Sequence, residues 1–177
     1  MSGTSMALSA LSKINSRLKF LYRKRIHLNS KDRKQLSSAL IQSNYDYGCN
    51  SWYRGLSQSL KNKFQTAQNK TIRFILDYGP RQHLNFSDFK KLGWLNVKNR
   101  VDYLTLNLMF NIHNKTAPSY MCDIKRKAHG YNTKTSKIAY DRPSVKSQGL
   151  LTFKYVGITL FNNLPIALKN NKKQVRF

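Results

Sequence analysis

The sequence predicts a mainly α protein, in which a helical bundle precedes a smaller helical region with a basic loop and a short β-hairpin. Apolar residues recur at three- and four-residue spacing in several long segments, as they do on one face of a helix. Glycine and proline residues separate these segments. The chain has 177 residues, 40% of them hydrophobic. That is enough to form a core in one domain or two small ones.

The first predicted helix runs from about Ser5 to Leu28. Its apolar face consists of Leu8, Leu11, Ile14, Leu18, Leu21 and Tyr22. On the opposite side lie Lys13, Arg17, Phe20 and Lys24. This basic side is either a solvated helix face or a surface that contacts phosphate groups, and the pattern leaves both interpretations open.

A second helix is predicted to begin at Asn29 or Ser30, because either side chain can accept a hydrogen bond as an N-cap. It should lose regularity near Gly48. Residues 45–57 are rich in aromatic side chains and bounded by glycines, which indicates a packed corner. Ser57 is the expected cap of the third helix.

The third predicted helix, Leu60–Leu76, joins an apolar stripe to a row of cations. The stripe consists of Leu60, Phe64, Ala67, Thr71 and Ile75, and the flanking row of Lys63, Thr66, Lys70 and Arg73. Both sets follow helical spacing. Such a helix can pack on a domain and still present positive charge to an anion.

The rest of the chain should contain shorter elements. We expect a helix at Ser87–Leu92 stopped by Gly93, and then a helix from Asn96 or Asn99 to about Asn111. A short turn should begin at Ala117-Pro118. A basic loop at 125–148, a strand or hairpin at 149–159 and a frayed basic tail are expected to follow. The predicted division is a helical bundle at 1–80, further helices at 81–124, and the loop, hairpin and tail at 125–177.

The charge balance restricts the partners. There are 32 Lys and Arg against 7 acids, all of them Asp, so the net charge is +25. Such a charge destabilises a compact state by self-repulsion, and binding a polyanion relieves it. Nucleic acid is the expected partner, since each neutralised phosphate releases counterions. An anionic membrane surface is the rival. Trp52, Tyr53 and Trp94 are expected in the core rather than as base-stacking platforms.

No spacing in the sequence favours a catalytic or metal-binding site. Polymerases and nucleases bring two or three carboxylates together on divalent metals, yet no two of the aspartates are adjacent or two apart. Tyr45-Asp46-Tyr47 has a single acid and does not match a Tyr-x-Asp-Asp box. The four histidines are scattered, without zinc-ligand spacing. We therefore predict no catalytic residue, no metal and no cofactor.

Neither a secretory signal nor a membrane-spanning segment is expected from the sequence. Two distant cysteines, Cys49 and Cys122, suit a reducing compartment. The first residues do not form a secretory signal, and no stretch approaches 18 consecutive apolar residues. A nuclear or cytoplasmic protein without a membrane partner is expected. The predicted nucleic-acid-binding residues are Lys13, Arg17, Lys24, Lys61, Lys63, Lys70 and Arg73.

Several short strings, taken in order, resemble the reverse transcriptases of LINE-type, non-LTR retrotransposons, in the jockey-like and related branches. The strings are Lys13-Ile14-Asn15-Ser16-Arg17-Leu18, Phe20-Leu21-Tyr22-Arg23, Ala39-Leu40-Ile41-Gln42, Tyr45-Asp46-Tyr47 with Cys49 and Trp52-Tyr53, Ala67-Gln68-Asn69-Lys70 with Ile72-Arg73-Phe74, Leu92-Gly93-Trp94-Leu95 with Arg100, Pro118-Ser119-Tyr120, Tyr155-Val156-Gly157, and Leu160-Phe161-Asn162-Asn163-Leu164-Pro165. The similarity extends from about residue 8 to residue 170.

The resemblance implies a helical thumb plus the C-terminal extension that follows the catalytic palm in that family. It implies a non-catalytic fragment of an RNA-directed DNA polymerase, which grips the template-primer duplex through positions around Lys70 and Arg73. The palm domains of the same element would be its partners, and the isolated chain should be inactive. A basic structural RNA-binding or scaffold protein remains the alternative.

Overall fold

The computed structural model describes residues 3–122, 124 and 139–169, and these are mainly helical. The α-helices are α1 (Gly3–Arg23), α2 (Ser30–Ser37), α3 (Ser43–Asp46), α4 (Cys49–Trp52), α5 (Gln58–Leu76), α6 (Phe86–Leu92), α7 (Val97–His113), α8 (Phe153–Asn162) and α9 (Ile166–Lys169). A π-helical segment, Ser38–Gln42, joins α2 to α3. Short 3₁₀ helices lie at Arg25–His27, Ser119–Met121 and Ser147–Leu151. The predicted fold class is confirmed.

The chain divides into two compact units, Met1–Val101 and Asp102–Phe177. The division falls within α7. Within each unit the helices pack around a separate set of buried apolar side chains.

The first unit is built around α5, against which α1 and α2 pack. The predicted stripe of α5 is buried at Phe64, Ala67, Thr71 and Ile75. From α1, Ile14, Leu18 and Leu21 meet it, whereas Leu8 and Tyr22, predicted on the same apolar face, are partly exposed. Trp52, Tyr53 and Trp94 are buried, as expected.

Hydrogen bonds at the helix ends explain where the helices begin and stop. The side chain of Asn29 accepts from the backbone N–H of Asp32, and Ser57 caps α5 through the N–H of Leu60. Gly93 adopts φ 66° after α6, with the N–H of Trp94 bonded back to the carbonyl of Phe89. This left-handed turn is the stop predicted for that glycine. In contrast, α1 ends at Arg23, earlier than predicted, because the chain tightens into a 3₁₀ turn.

An arginine–aspartate cluster joins the end of α5 to α2. Arg33 is 9% exposed. Its guanidinium lies 2.7 Å from the Asp77 carboxylate and 5.8 Å from the centre of the Phe74 ring. Arg25 donates from Nε to the same carboxylate at 2.7 Å. Two cations on this aspartate hold its pKa below the ordinary value, first through the hydrogen bond from Arg25.

The second unit has a small core of buried side chains from α7, α8 and the segment before α8. Its members are Met109, Ile112, Tyr140, Ile158 and Phe161. The side-chain amide of Asn162 holds Tyr140 in place by accepting from its N–H at 3.0 Å and donating to its carbonyl at 2.8 Å. One asparagine thus satisfies both backbone groups of a buried residue.

The predicted hairpin at 149–159 is wrong. This stretch forms the end of a 3₁₀ turn and then α8, which Thr152 caps by accepting from the N–H of Tyr155. Aromatic and branched residues suggested a strand, but the buried ones, Gly157, Ile158 and Phe161, follow helical spacing. Packing on the second core therefore overrides strand propensity. Most of the predicted basic loop and of the tail lies outside the described residues.

Candidate nucleic-acid interface

A groove of about 600 Å³ runs between α1 and α5 in the first unit. It is lined by Leu11, Asn15, Ser59, Asn62, Lys63, Thr66, Ala67 and Lys70. The lining residues recur every three or four positions on α5, so a single edge of the helix borders the groove. Ala67 is buried, and the small side chain leaves space between the two helices.

The groove combines two lysines with hydroxyl and amide side chains. Lys63 and Lys70 are exposed, and neither ammonium group has a hydrogen-bond or ion-pair partner within the ranges that the structure describes. Thr66 is exposed between them, with Asn15 and Asn62 nearby. These groups can donate several hydrogen bonds to one anion. The backbone there is held in place, because the Tyr22 hydroxyl donates to the Lys70 carbonyl at 3.2 Å.

No carboxylate lines this groove, and three aspartates of the first unit have partners elsewhere. Arg100 binds Asp46 through two hydrogen bonds of 3.0 and 2.8 Å. Asp77 is bound by Arg25 and Arg33. Asp88 is buried and accepts from the Asn85 N–H and the Tyr78 hydroxyl, which together lower its pKa. The positive charge of the groove is therefore not neutralised locally.

Three of the predicted contact residues bond to backbone carbonyls of their own unit. Arg17 donates to the carbonyl of Leu40, in the π-helical segment, at 2.6 Å. Lys61 donates to the Arg54 carbonyl at 3.2 Å and lies 5.9 Å from the centre of the Tyr53 ring. Arg73 donates to the Gln82 carbonyl at 2.8 Å. Each bond holds its side chain in place and occupies one donor, so a phosphate at these positions has the remaining N–H groups.

The other four predicted residues are exposed and fall into two groups. Lys63 and Lys70 line the groove, whereas Lys13, on α1, and Lys24, directly after α1, do not. The role of all seven in binding stays a prediction.

Sequence reasoning missed the polar partners in the groove, Asn15, Ser59 and Asn62. Helical spacing could have identified two of them. Ser59 precedes Lys63 by four residues, and Asn62 precedes Thr66 by four, so both lie on the same helix edge as the predicted basic row. Asn15 belongs to another helix, so its place opposite α5 depends on how the two helices pack.

The described residues include no group of three or more His, Cys, Asp or Glu placed to hold a metal ion. Burial raises the pKa of the Cys49 thiol to about 11, which keeps it protonated at neutral pH and makes it a poor nucleophile. None of the described helices is both long and apolar enough to cross a membrane.

Comparison with known proteins adds no family. No protein-family model, no curated protein and no solved structure matches the chain.

Proposed function

We propose that this protein is a non-catalytic nucleic-acid-binding module that contacts phosphates through the groove between α1 and α5. The observation that carries the proposal is the pair Lys63 and Lys70, exposed, unpartnered within the described ranges and bordered by hydrogen-bond donors rather than carboxylates. A chain with net charge +25 gains from binding a polyanion.

The spacing of the lysines suits a phosphate backbone. Seven residues separate Lys63 and Lys70 along one helix, which corresponds to about 10.5 Å at 1.5 Å per residue. Successive phosphates of one strand rise about 3.4 Å along a duplex, so the two ammonium groups match phosphates about three steps apart. Contacts of this type position a duplex without reading its sequence.

The family resemblance supports a more specific role. If the chain corresponds to the region after the palm of a non-LTR retrotransposon reverse transcriptase, the groove grips an RNA–DNA template-primer duplex. Bond formation then belongs to the palm of the same element, and the polymerase domains are the partner. Such a protein would act in the nucleus or the cytoplasm.

Fluorescence anisotropy with labelled RNA–DNA hybrid, DNA duplex and RNA duplex tests the proposal. We expect the logarithm of the affinity to fall linearly with the logarithm of the salt concentration, and the affinity to change little with base sequence. Absence of binding to every duplex in dilute buffer would refute it. Primer extension on an RNA template with Mg²⁺ should give no product, and synthesis by the purified chain would contradict the non-catalytic assignment.

A further inference from the structure

A second groove, of about 360 Å³, flanks α5 within the same first unit. It is formed by α5, by the residues before α6 and α6 itself, and by the chain from the end of α6 to the first turn of α7. Its lining differs in kind from that of the first groove: it contains four asparagines, one glutamine, three aromatic rings and two leucines, with no charged side chain.

The amide groups in this groove have an orientation that backbone hydrogen bonds determine. The N–H of Val97 donates to Gln65 Oε1 at 3.1 Å, which identifies that atom as the oxygen. Gln65 Nε2 is then the donor, and it bonds to Asn69 Oδ1 at 2.9 Å. Asn96 Oδ1 accepts from the Asn99 N–H at 2.8 Å.

The consequence is an excess of donors. The oxygens of Asn69 and Asn96 are engaged, while their NH₂ groups have no partner within the ranges that the structure describes. Each amide nitrogen can donate two hydrogen bonds. A ligand that fits must therefore present acceptors.

One exposed aromatic ring, that of Phe86, lies beside these donors, with two less exposed rings in the lining. Phe86, the first residue of α6, is 84% exposed. Phe89 is half-buried and Trp94 is 6% exposed. An exposed phenylalanine beside a groove can stack on a planar ligand at little cost in conformational entropy.

These features select one class of ligand. A free phosphate is disfavoured because no cation lines the groove, and a cation is disfavoured because no carboxylate lines it, while Asn69 and Asn96 present donors. A planar group with carbonyl oxygens on its edge satisfies both the rings and the amides. The volume is at the small end of the range for ligand sites, about 300–1,000 Å³, which suits one such group.

We infer that the second groove binds a single unstacked nucleobase that carries carbonyl oxygens, such as uracil or guanine. This inference rests on the proposed function, because the base would belong to the strand whose phosphates lie in the first groove. Asn69 and Lys70 are neighbours in sequence and line different grooves. A strand crossing α5 can thus place a phosphate at Lys70 and a base at Asn69. Only a single-stranded stretch can offer such a base, since bases in a duplex are stacked and paired.

Three labelled hairpins test the inference by anisotropy: a fully paired hairpin, the same hairpin with a single-stranded uridine extension, and the same hairpin with an abasic extension of equal length. The two extensions carry the same phosphates and differ only in bases. We expect the uridine extension to bind at least about fivefold more tightly than the abasic one, as expected for one stacked base.

Phe86→Ala should abolish this preference and leave the affinity for the paired hairpin unchanged. Tyr47→Ala is the matched control: it removes a ring that is 77% exposed and lines neither groove, and it should preserve the preference. Equal binding of the two extensions by the natural chain, or an intact preference in Phe86→Ala, would overturn the inference while leaving the phosphate-binding proposal standing. No binding of any hairpin in dilute buffer would overturn both.

Discussion

Replacing the two lysines of the first groove gives a quantitative test of phosphate binding. In the double variant Lys63→Gln/Lys70→Gln, both positions keep a long polar side chain and lose their charge. Because both residues are exposed on α5, the fold should tolerate the change. The variant therefore isolates the electrostatic contribution of the groove.

The expected magnitude follows from counterion release. Each phosphate contact contributes about −0.9 to the slope of log affinity against log salt on duplex DNA. Losing two contacts should make the slope about 1.8 less steep. Between about 50 and 200 mM salt, affinity would then fall roughly tenfold less in the variant than in the natural chain.

Anisotropy with one DNA duplex at several salt concentrations measures this slope. Lys31→Gln/Lys34→Gln is the control, because it removes the same charge from exposed positions of α2 that do not line the groove. Its slope should match that of the natural chain. If the groove variant keeps the natural slope, or if the control loses as much, the groove is not the phosphate site.

Three further predictions concern stability and thiol chemistry in the first and second units. Asp46→Ala should lower the free energy of unfolding by about 1–2 kcal/mol in urea titrations, because it leaves half-buried Arg100 without two charge-assisted hydrogen bonds; an unchanged midpoint would show that the pair contributes nothing. The pKa of Asp77 lies below its ordinary value of 3.8 in the folded state, so its stabilising effect is full above about pH 4 and lost as the pH falls through the folded pKa. Asp77→Asn should therefore show a shallower loss of thermal stability in acid than the natural chain, and parallel acid profiles would contradict this. With a thiol reagent at neutral pH, Cys122 should react quickly, whereas Cys49 should react only after unfolding. The reason is that Cys49 is 1% exposed and the pKa of its thiol is raised to about 11. Rapid reaction of the Cys122→Ser variant would refute the burial argument.

Helix positions were predictable where apolar periodicity and end signals agreed. The long run of α5 with Ser57 before it, and the stop at Gly93, follow from local chemistry that each segment contains. The segment 149–159 misled because its residue types favour strands. Its spacing is helical, and the core that buries Ile158 and Phe161 comes largely from residues distant in sequence.

The candidate site was only half predictable. Helical spacing predicted that Lys63 and Lys70 lie on one flank of α5. It could not predict that their ammonium groups have no partner within the part of the chain that the structure describes. Arg17 and Arg73 have the same charge and lie in similarly basic helices, yet each bonds to a backbone carbonyl of another segment. Such a partner arises only when distant parts of the chain meet, so no local pattern distinguishes these arginines from the free lysines.

Composition and periodicity were therefore sufficient to predict a basic, mainly helical chain in which the helix at Leu60–Leu76 has a positively charged edge. These are properties of single segments, and nearest neighbours along the chain specify them. Packing decided which cations remain free, where the aspartates are neutralised, and that two grooves of different chemistry flank α5. Those outcomes depend on long-range contacts, in which a few buried side chains set the distance between helices and every polar group must find a partner or face solvent.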